Sequence, residues 1–393
     1  MNKEFQIYDL QDLCIDIIDC PHTTPKWKDY GITVIRNYNI KDGKLDFSKP
    51  SYVDESTYTA RTKRGVPEYN DLIISREAPM GAVALIPKNL VCCLGQRLVL
   101  LKINKEVCNP KYLLYVMQSK YVKDQIKQID KTGSIVSNLN IGDLKKLKIP
   151  IIKEQEKVSL LLSKLDKKIE TNNKINKNLE AQLQLLYDYW FTQFDFPDEN
   201  NQPYQSSGGK MVWSDELNRE IPEGWGVESV TKLLDIITGK ENANHATING
   251  KYKFFTCSQS ESKCDDYKFN GKAILIAGNG DFNVKHYSGK FNAYQRTYVL
   301  IPKNDIYYAA IYLVSKGLIN KFKSGSNGSI VKFITKGDVE NIKIIVPNNL
   351  EYYKILNKII ENIEINRSEN EKLISLRDFL LPLLMNGQAK IVE

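Results

Sequence analysis

Residues 133–149 read GSIVSNLNIGDLKKLKI and residues 328–344 read GSIVKFITKGDVENIKI, identical at eight of 17 positions with a fixed offset of 195. Ordinary amino-acid usage gives roughly one such identity by chance. Further on, IETNNKINKNL at 169–179 aligns with IEINRSENEKL at 363–373. Upstream, GQRLVLL at 95–101 resembles YQRTYVLI at 294–301, and DLIISR at 71–76 resembles KAILIAG at 272–278. These last pairs are apolar, β-branched runs beside turn residues, which predicts strands. A period near 200 residues is too long for a solenoid. The chain therefore reads as one domain built twice, and 393 residues leave each copy room for its own core.

Each copy ends in a predicted helix with a heptad seam. Val158, Leu162, Leu165, Ile169, Asn172, Asn176, Leu179, Leu183, Leu186 and Trp190 follow steps of four and three. Tyr352, Leu356, Ile359, Ile363, Asn366, Asn370, Leu373, Leu380 and Leu384 repeat the pattern, with Arg377 breaking it. An asparagine in an apolar seam costs stability but penalises shifted registers, because slippage would bury an unpaired amide. Asn172 and Asn176 in one helix, matched by Asn366 and Asn370 in the other, predict that the two helices pair in one register. Two unrelated amphipathic helices, each covering its own lobe, are the alternative.

The duplicated words mark the junction of lobe and helix. Asn140-x-x-Asp143 and Thr335-x-x-Asp338 predict N-caps. A short turn then leads into LKIPII (147–152) or IKIIVP (342–347), both strand-like, before the long helix. Gly133-Ser134 and Gly328-Ser329 precede the caps; they read either as plain turns or as backbone cradles for phosphate. Residues 197–221, within a stretch rich in Pro, Gly, Ser and Asn, predict a linker. The organisation is a first lobe at 1–150, a long helix at 151–196, the linker, a second lobe at 222–350 and a second long helix at 351–393.

Charge follows that division. Lys and Arg exceed Asp and Glu by six in residues 1–150 and again by six in 222–350, whereas 151–196 balance. Two basic lobes fit two polyanion sites; ordinary solvated lysine is the plainer reading. No stretch approaches the ~18 apolar residues of a membrane span, and the N-terminus MNKEFQIYDLQDL lacks a signal-peptide apolar run, which predicts a cytoplasmic chain with no membrane partner. Seven cysteines without a C-x-x-C pair predict free, mostly buried thiols.

The order lobe, helix, linker, lobe, helix resembles the specificity subunits of Type I restriction–modification systems. So do PHTTPKW at 21–27, DLIISREAPMG at 71–81, the GSIV…GD…IKIP junction, and the linker leading into Pro222-Glu223-Gly224-Trp225. The resemblance covers essentially the whole chain. It implies an α/β (α+β) architecture with pseudo-two-fold duplication: two similar target-recognition domains separated by two long antiparallel coiled-coil helices. It further implies a bipartite double-stranded DNA target, one half read by each domain. Methyltransferase subunits, expected as two copies, would dock on the helices and be directed to adenine, with motor restriction subunits where a system has them. S-adenosylmethionine, ATP and Mg would belong to those partners, leaving this chain without cofactor or metal.

Absences agree with a non-catalytic chain. There is no N-P-P-[YF] or D-P-P-Y tetrapeptide to hold a target amine, and no P-D…E-x-K nuclease pattern. Gly278-Asn279-Gly280 follows a strand-like run, but Asn283 stands at the third glycine position of a dinucleotide loop, so the segment reads as a turn. His22, His245 and His286 show no ligand spacing and predict exposed loop residues. A stand-alone two-lobed DNA-binding protein is the runner-up; a methyltransferase in its own right comes third.

DNA contacts are expected from Lys, Arg and small polar side chains in loops. In the first lobe these are Thr23, Thr24, Lys26, Arg36, Asn37, Arg61, Lys63, Arg64, Arg76, Gln96 and Arg97, with Gly133 and Ser134. In the second they are Asn279, Asn283, Lys285, Gln295, Arg296, Lys323, Ser324 and Asn327, with Gly328 and Ser329.

Overall fold

The computed structural model describes residues 5–132, 138–248, 250–324 and 333–391, and the side chains of 131–132 and 321–324 are not described. Two compact units emerge. The first joins residues 1–170 to 370–393, and the second comprises 171–369.

In the first unit a four-stranded antiparallel sheet runs in the order Cys14–Asp19, Leu98–Ile103, Leu72–Ser75, Val83–Leu85. A smaller sheet holds Ile32–Ile35 between Tyr52–Val53 and Cys92–Leu94, the last pairing being parallel. In the second unit one six-stranded sheet takes both roles: Leu234–Thr238, Thr297–Pro302, Phe269–Ala277, Val284–Ala293, Tyr252–Phe255, Ser262–Cys264. Here too one pairing is parallel, Tyr252–Phe255 against Val284–Ala293. Mostly antiparallel sheets with helices such as Pro110–Gln118 and Tyr308–Ser324 against them make an α+β fold.

The duplicated words occupy equivalent places. Asn140 Oδ1 accepts the Asp143 N–H at 2.9 Å, and Thr335 Oγ1 accepts the Asp338 N–H at 3.1 Å, so each stretch starts a short capped helix. Strand Lys148–Ile152 then pairs antiparallel with Phe5–Asp9, as Lys343–Val346 does with Gly226–Ser229. Each lobe is thus closed by its first strand and its last, directly before the long helix.

The long helices span Gln155–Tyr187 and Glu351–Met385. Within the first unit Val158 and Leu162 share a core with Leu381, Leu384 and Met385. Within the second, Leu183 and Trp190 pack with Tyr353, Leu356 and Ile360. In both, ascending numbers on one helix meet descending numbers on the other, the signature of antiparallel packing. Asn366 Nδ2 donates to Asn176 Oδ1 at 2.8 Å, Asn176 Nδ2 to the Ile363 carbonyl at 3.1 Å, and Asn172 Nδ2 to Glu369 Oε2 at 2.7 Å. Asn370 is buried. Arg377, out of place in an apolar seam, reaches Asp166 at 2.8 Å, whose other oxygen accepts the Tyr115 hydroxyl at 2.7 Å.

The 197–221 segment, expected as a linker, is folded. Met211–Ser214 and Arg219–Pro222 form an antiparallel pair. Phe196 stacks on Tyr204 and Trp225 at 4.6 and 4.5 Å between ring centres. Aromatic packing orders this segment. The cysteines are free, five buried and two half-buried.

Candidate nucleic-acid interface

The candidates of the first lobe come from strand ends and from the end of the helix Glu55–Thr62, where Arg61 is helical and not in the loop expected of it. Arg76 follows the strand Leu72–Ser75, and Arg97 precedes the adjacent strand Leu98–Ile103. The Arg76 N–H donates to the Arg97 carbonyl at 2.8 Å, and the Leu139 N–H to the Arg76 carbonyl at 3.0 Å. The second lobe repeats both bonds: Gly278 N–H to Arg296 carbonyl at 2.9 Å, Ile334 N–H to Gly278 carbonyl at 2.8 Å. The duplicated junction is therefore pinned to the same strand end in each copy.

Around that end in the first lobe, charge is spent in two ways. Arg61 is buried, and its guanidinium donates to the carbonyls of Leu94 and Thr23 at 2.9 Å and of Pro21 at 3.1 Å. It holds the loop that presents Thr23, Thr24 and Lys26, and does not face solvent as its TARTKRG setting predicted. Arg76 is likewise turned inward, its Nη1 reaching both Asp19 carboxylate oxygens at 3.0 and 3.1 Å and its Nε donating to the Leu139 carbonyl at 2.9 Å. Asn37 ties to the Ala78 carbonyl at 2.7 Å, and Gln96 to that of His22. Thr23, Thr24, Lys26, Lys63 and Arg64 remain exposed on the face these bonds build. Arg97 is exposed too, paired with Glu77 at 2.9 Å, and sits at φ 68°, as Ala78 does at φ 43°. Side chains rarely adopt that left-handed region, and such residues gather at functional sites.

Arg36 has a distinct environment. Its guanidinium lies 4.8 Å from the Trp27 ring centre and 4.7 Å from that of Tyr38. Both rings are exposed, as is Tyr30. Aromatic and guanidinium planes together suit stacking on bases or sugar. Polar chemistry alone does not pick out the aromatic members; Trp27 in PHTTPKW is their signal in the sequence.

The second lobe gathers a smaller set. Asn283 is buried, donating to the carbonyls of Asp281 and Cys257 at 2.6 and 3.0 Å. It shapes the turn and does not point outward. Lys285 Nζ donates to the Ser258 carbonyl at 2.6 Å and lies 5.9 Å from the Phe255 ring centre, and burial pushes its pKa down. Asn279 is half-exposed, while Gln295 and Arg296 are exposed. Gly133, Ser134, Asn327, Gly328 and Ser329 lie outside the described residues, as do the side chains of Lys323 and Ser324.

The histidines depart from their expected exposure, except for His22, which lies exposed 2.9 Å from Asp19. His286 is buried, with Nδ1 3.0 Å from Glu364 and Nε2 3.2 Å from Arg367. His245 is half-buried, its Nε2 2.6 Å from Asp266.

The family model described as "Type I restriction modification DNA specificity domain" matches residues 2–181 and 222–374, one match per copy of the duplication. The chain belongs to the Type I restriction–modification DNA specificity family. Its relatives include the EcoDI specificity subunit of Escherichia coli, 35% identical over 179 residues, a match covering 43% of this chain and only 39% of that subunit. The MjaIX specificity subunit of Methanocaldococcus jannaschii is 28% identical over 82% of this chain and 78% of its own. The crystal structure of an S subunit from M. genitalium shares the fold, with a TM-score of 0.55 at 16% identity, covering 97% of this chain and 96% of that one. Among the described residues no helix is long and apolar enough to cross a membrane.

Proposed function

We propose that this chain is the non-catalytic DNA-specificity subunit of a Type I restriction–modification complex. Each lobe reads one half of a bipartite double-stranded target, and partner subunits methylate adenine there. The observation that carries this reading is the duplicated strand-end scaffold, built by the same backbone bonds in each copy and flanked by exposed Lys26, Lys63 and Arg64 in the first lobe and by exposed Gln295 and Arg296 in the second. Exposed Lys26, Lys63 and Arg64 suit phosphate, while Arg36 with Trp27 and Tyr38 suits bases.

The partners are methyltransferase subunits, two by the duplication, with motor restriction subunits where the system has them. S-adenosylmethionine, ATP and Mg act on those partners. Both long helices support docking: Leu160, Leu185, Ile365 and Phe379 are each more than half exposed. Apolar side chains presented outward from paired helices fit protein partners, and the names of the relatives as subunits disfavour the partner-free alternative. The place of work is the cytoplasm.

Methylome sequencing of cells with and without the chain tests the reading. Exchange of residues 1–150 for those of a relative should change one half of the methylated motif and leave the other. A change in both halves, or in neither, would refute independent readers.

A further inference from the structure

The structure assigns to the second lobe a zinc site built by His245, Cys264 and Asp266. One donor atom from each residue lies within 4.8 Å of the other two. Three different neighbourhoods supply them: the short helical turn Ala243–His245, the end of strand Ser262–Cys264, and the loop directly after that strand. Imidazole, thiolate and carboxylate are the donor set zinc takes, at about 2.0–2.3 Å each. To hold an ion the cluster must adjust in two ways: the His245–Asp266 pair opens, and both close on the Cys264 sulfur, which lies up to 4.8 Å from them. His245 Nε2 and Asp266 Oδ1 are 2.6 Å apart, and an ion between them separates them by less than about one ångström more. Asp266 is on the surface, where it can yield, while Cys264 is fully buried and fixed by its strand.

The surroundings follow the usual pattern of outer support for metal ligands. With Nε2 toward the ion, Nδ1–H faces Glu241 Oε2 at 3.4 Å, the carboxylate–histidine–metal arrangement that fixes the tautomer. Asn292, fully buried, donates to the ligating Asp266 Oδ1 at 3.3 Å. The His245 ring also packs edge-on to Phe254, with 5.6 Å between ring centres. On binding, the Cys264 S–H bond breaks, its proton passes to solvent and the thiolate bonds zinc; water completes the fourth position. Glu241 accepts the Gln295 N–H through its carbonyl at 2.9 Å, so the ion would brace the loop beside that turn. Zinc uptake itself does not depend on the DNA reading.

The test uses the full chain, stripped with chelator and titrated with zinc alone, then with Co(II). One zinc per chain is expected, together with a thiolate-to-cobalt charge-transfer band. Both should survive Cys257→Ser, which removes another thiol of the same lobe, and disappear in Cys264→Ser. Because Cys264 is buried, His245→Gln and Asp266→Asn provide surface variants, each expected to weaken zinc at least tenfold. Glu241→Gln should weaken it about tenfold, as removal of an outer partner does. Absence of zinc uptake, a cobalt complex lacking the thiolate band, or uptake unchanged in His245→Gln and Asp266→Asn would overturn the site. In that event His245 does no more than hydrogen-bond Asp266.

Discussion

Asn366 donates its side-chain N–H to the side-chain oxygen of Asn176 at 2.8 Å, one of a few polar links set among the apolar side chains through which the two long helices meet. Asn176 in turn reaches the Ile363 carbonyl, so one amide fixes two positions of the opposing helix. Replacing Asn176 alone by Leu should destabilise the second unit by about 1–3 kcal/mol, because the Asn366 amide is left without its partner. Replacing Asn176 and Asn366 together by Leu should recover most of that stability, since both polar groups leave. A double-mutant cycle by denaturant unfolding measures the coupling.

Arg61 and its neighbours should separate stability from DNA affinity. Arg61→Ala leaves the Leu94, Thr23 and Pro21 carbonyls without their donor and should cost roughly 2–3 kcal/mol of first-unit stability. Lys63→Ala with Arg64→Ala should leave the melting temperature nearly unchanged. The same pair should lower the salt dependence of DNA binding by roughly 0.9 in slope for each phosphate that is no longer neutralised. An unchanged slope would place that pair away from DNA.

His286 should make the second unit acid-sensitive. Burial holds its pKa below the ordinary imidazole range, opposed by the hydrogen bond to Glu364 and assisted by the Arg367 charge; the neighbouring Glu180 charge raises it. Tyr308 and Tyr312 flank the ring. The folded state therefore binds fewer protons than the unfolded one. Stability is present at neutral pH and declines as pH falls below about 6.5, the unfolded value, toward the folded pKa. His286→Asn should flatten that decline in thermal melts between about pH 7 and pH 5. An equally steep decline would assign it to other groups.

The long helices are proposed to set the distance between half-sites. A heptad inserted into both, at residues 170–171 and 369–370, adds about 10 Å of helix, or roughly three base pairs of spacer. The half-sites should stay the same. A heptad in one helix alone should offset the asparagine layers and destabilise the chain. Methylome sequencing of the doubly extended variant reads the spacing directly, and an unchanged spacer in an active variant would exclude the helices as a ruler.

Much of the fold is legible in the sequence because its signals are local. The offset of 195 residues reveals the duplication, and β-branched runs mark the central strands. The spacing of Asn140 to Asp143 and of Thr335 to Asp338 marks two caps that form as spaced. Steps of three and four place Asn176 and Asn366 on the facing sides of two helices. Tertiary structure decided which side chains remain available to a partner. Arg61, Asn283 and Lys285 carry the chemistry of DNA contacts, yet carbonyls from distant loops absorb their donors. Tertiary structure also folded 197–221 around Phe196 and Trp225, and brought His245 to Cys264 and Asp266 across 19 and 21 positions. Periodicity and capping are properties of neighbouring residues, so a sequence states them directly. The direction of a loop side chain depends on strand register and on groups far away in the chain, and these come together only when the lobe folds.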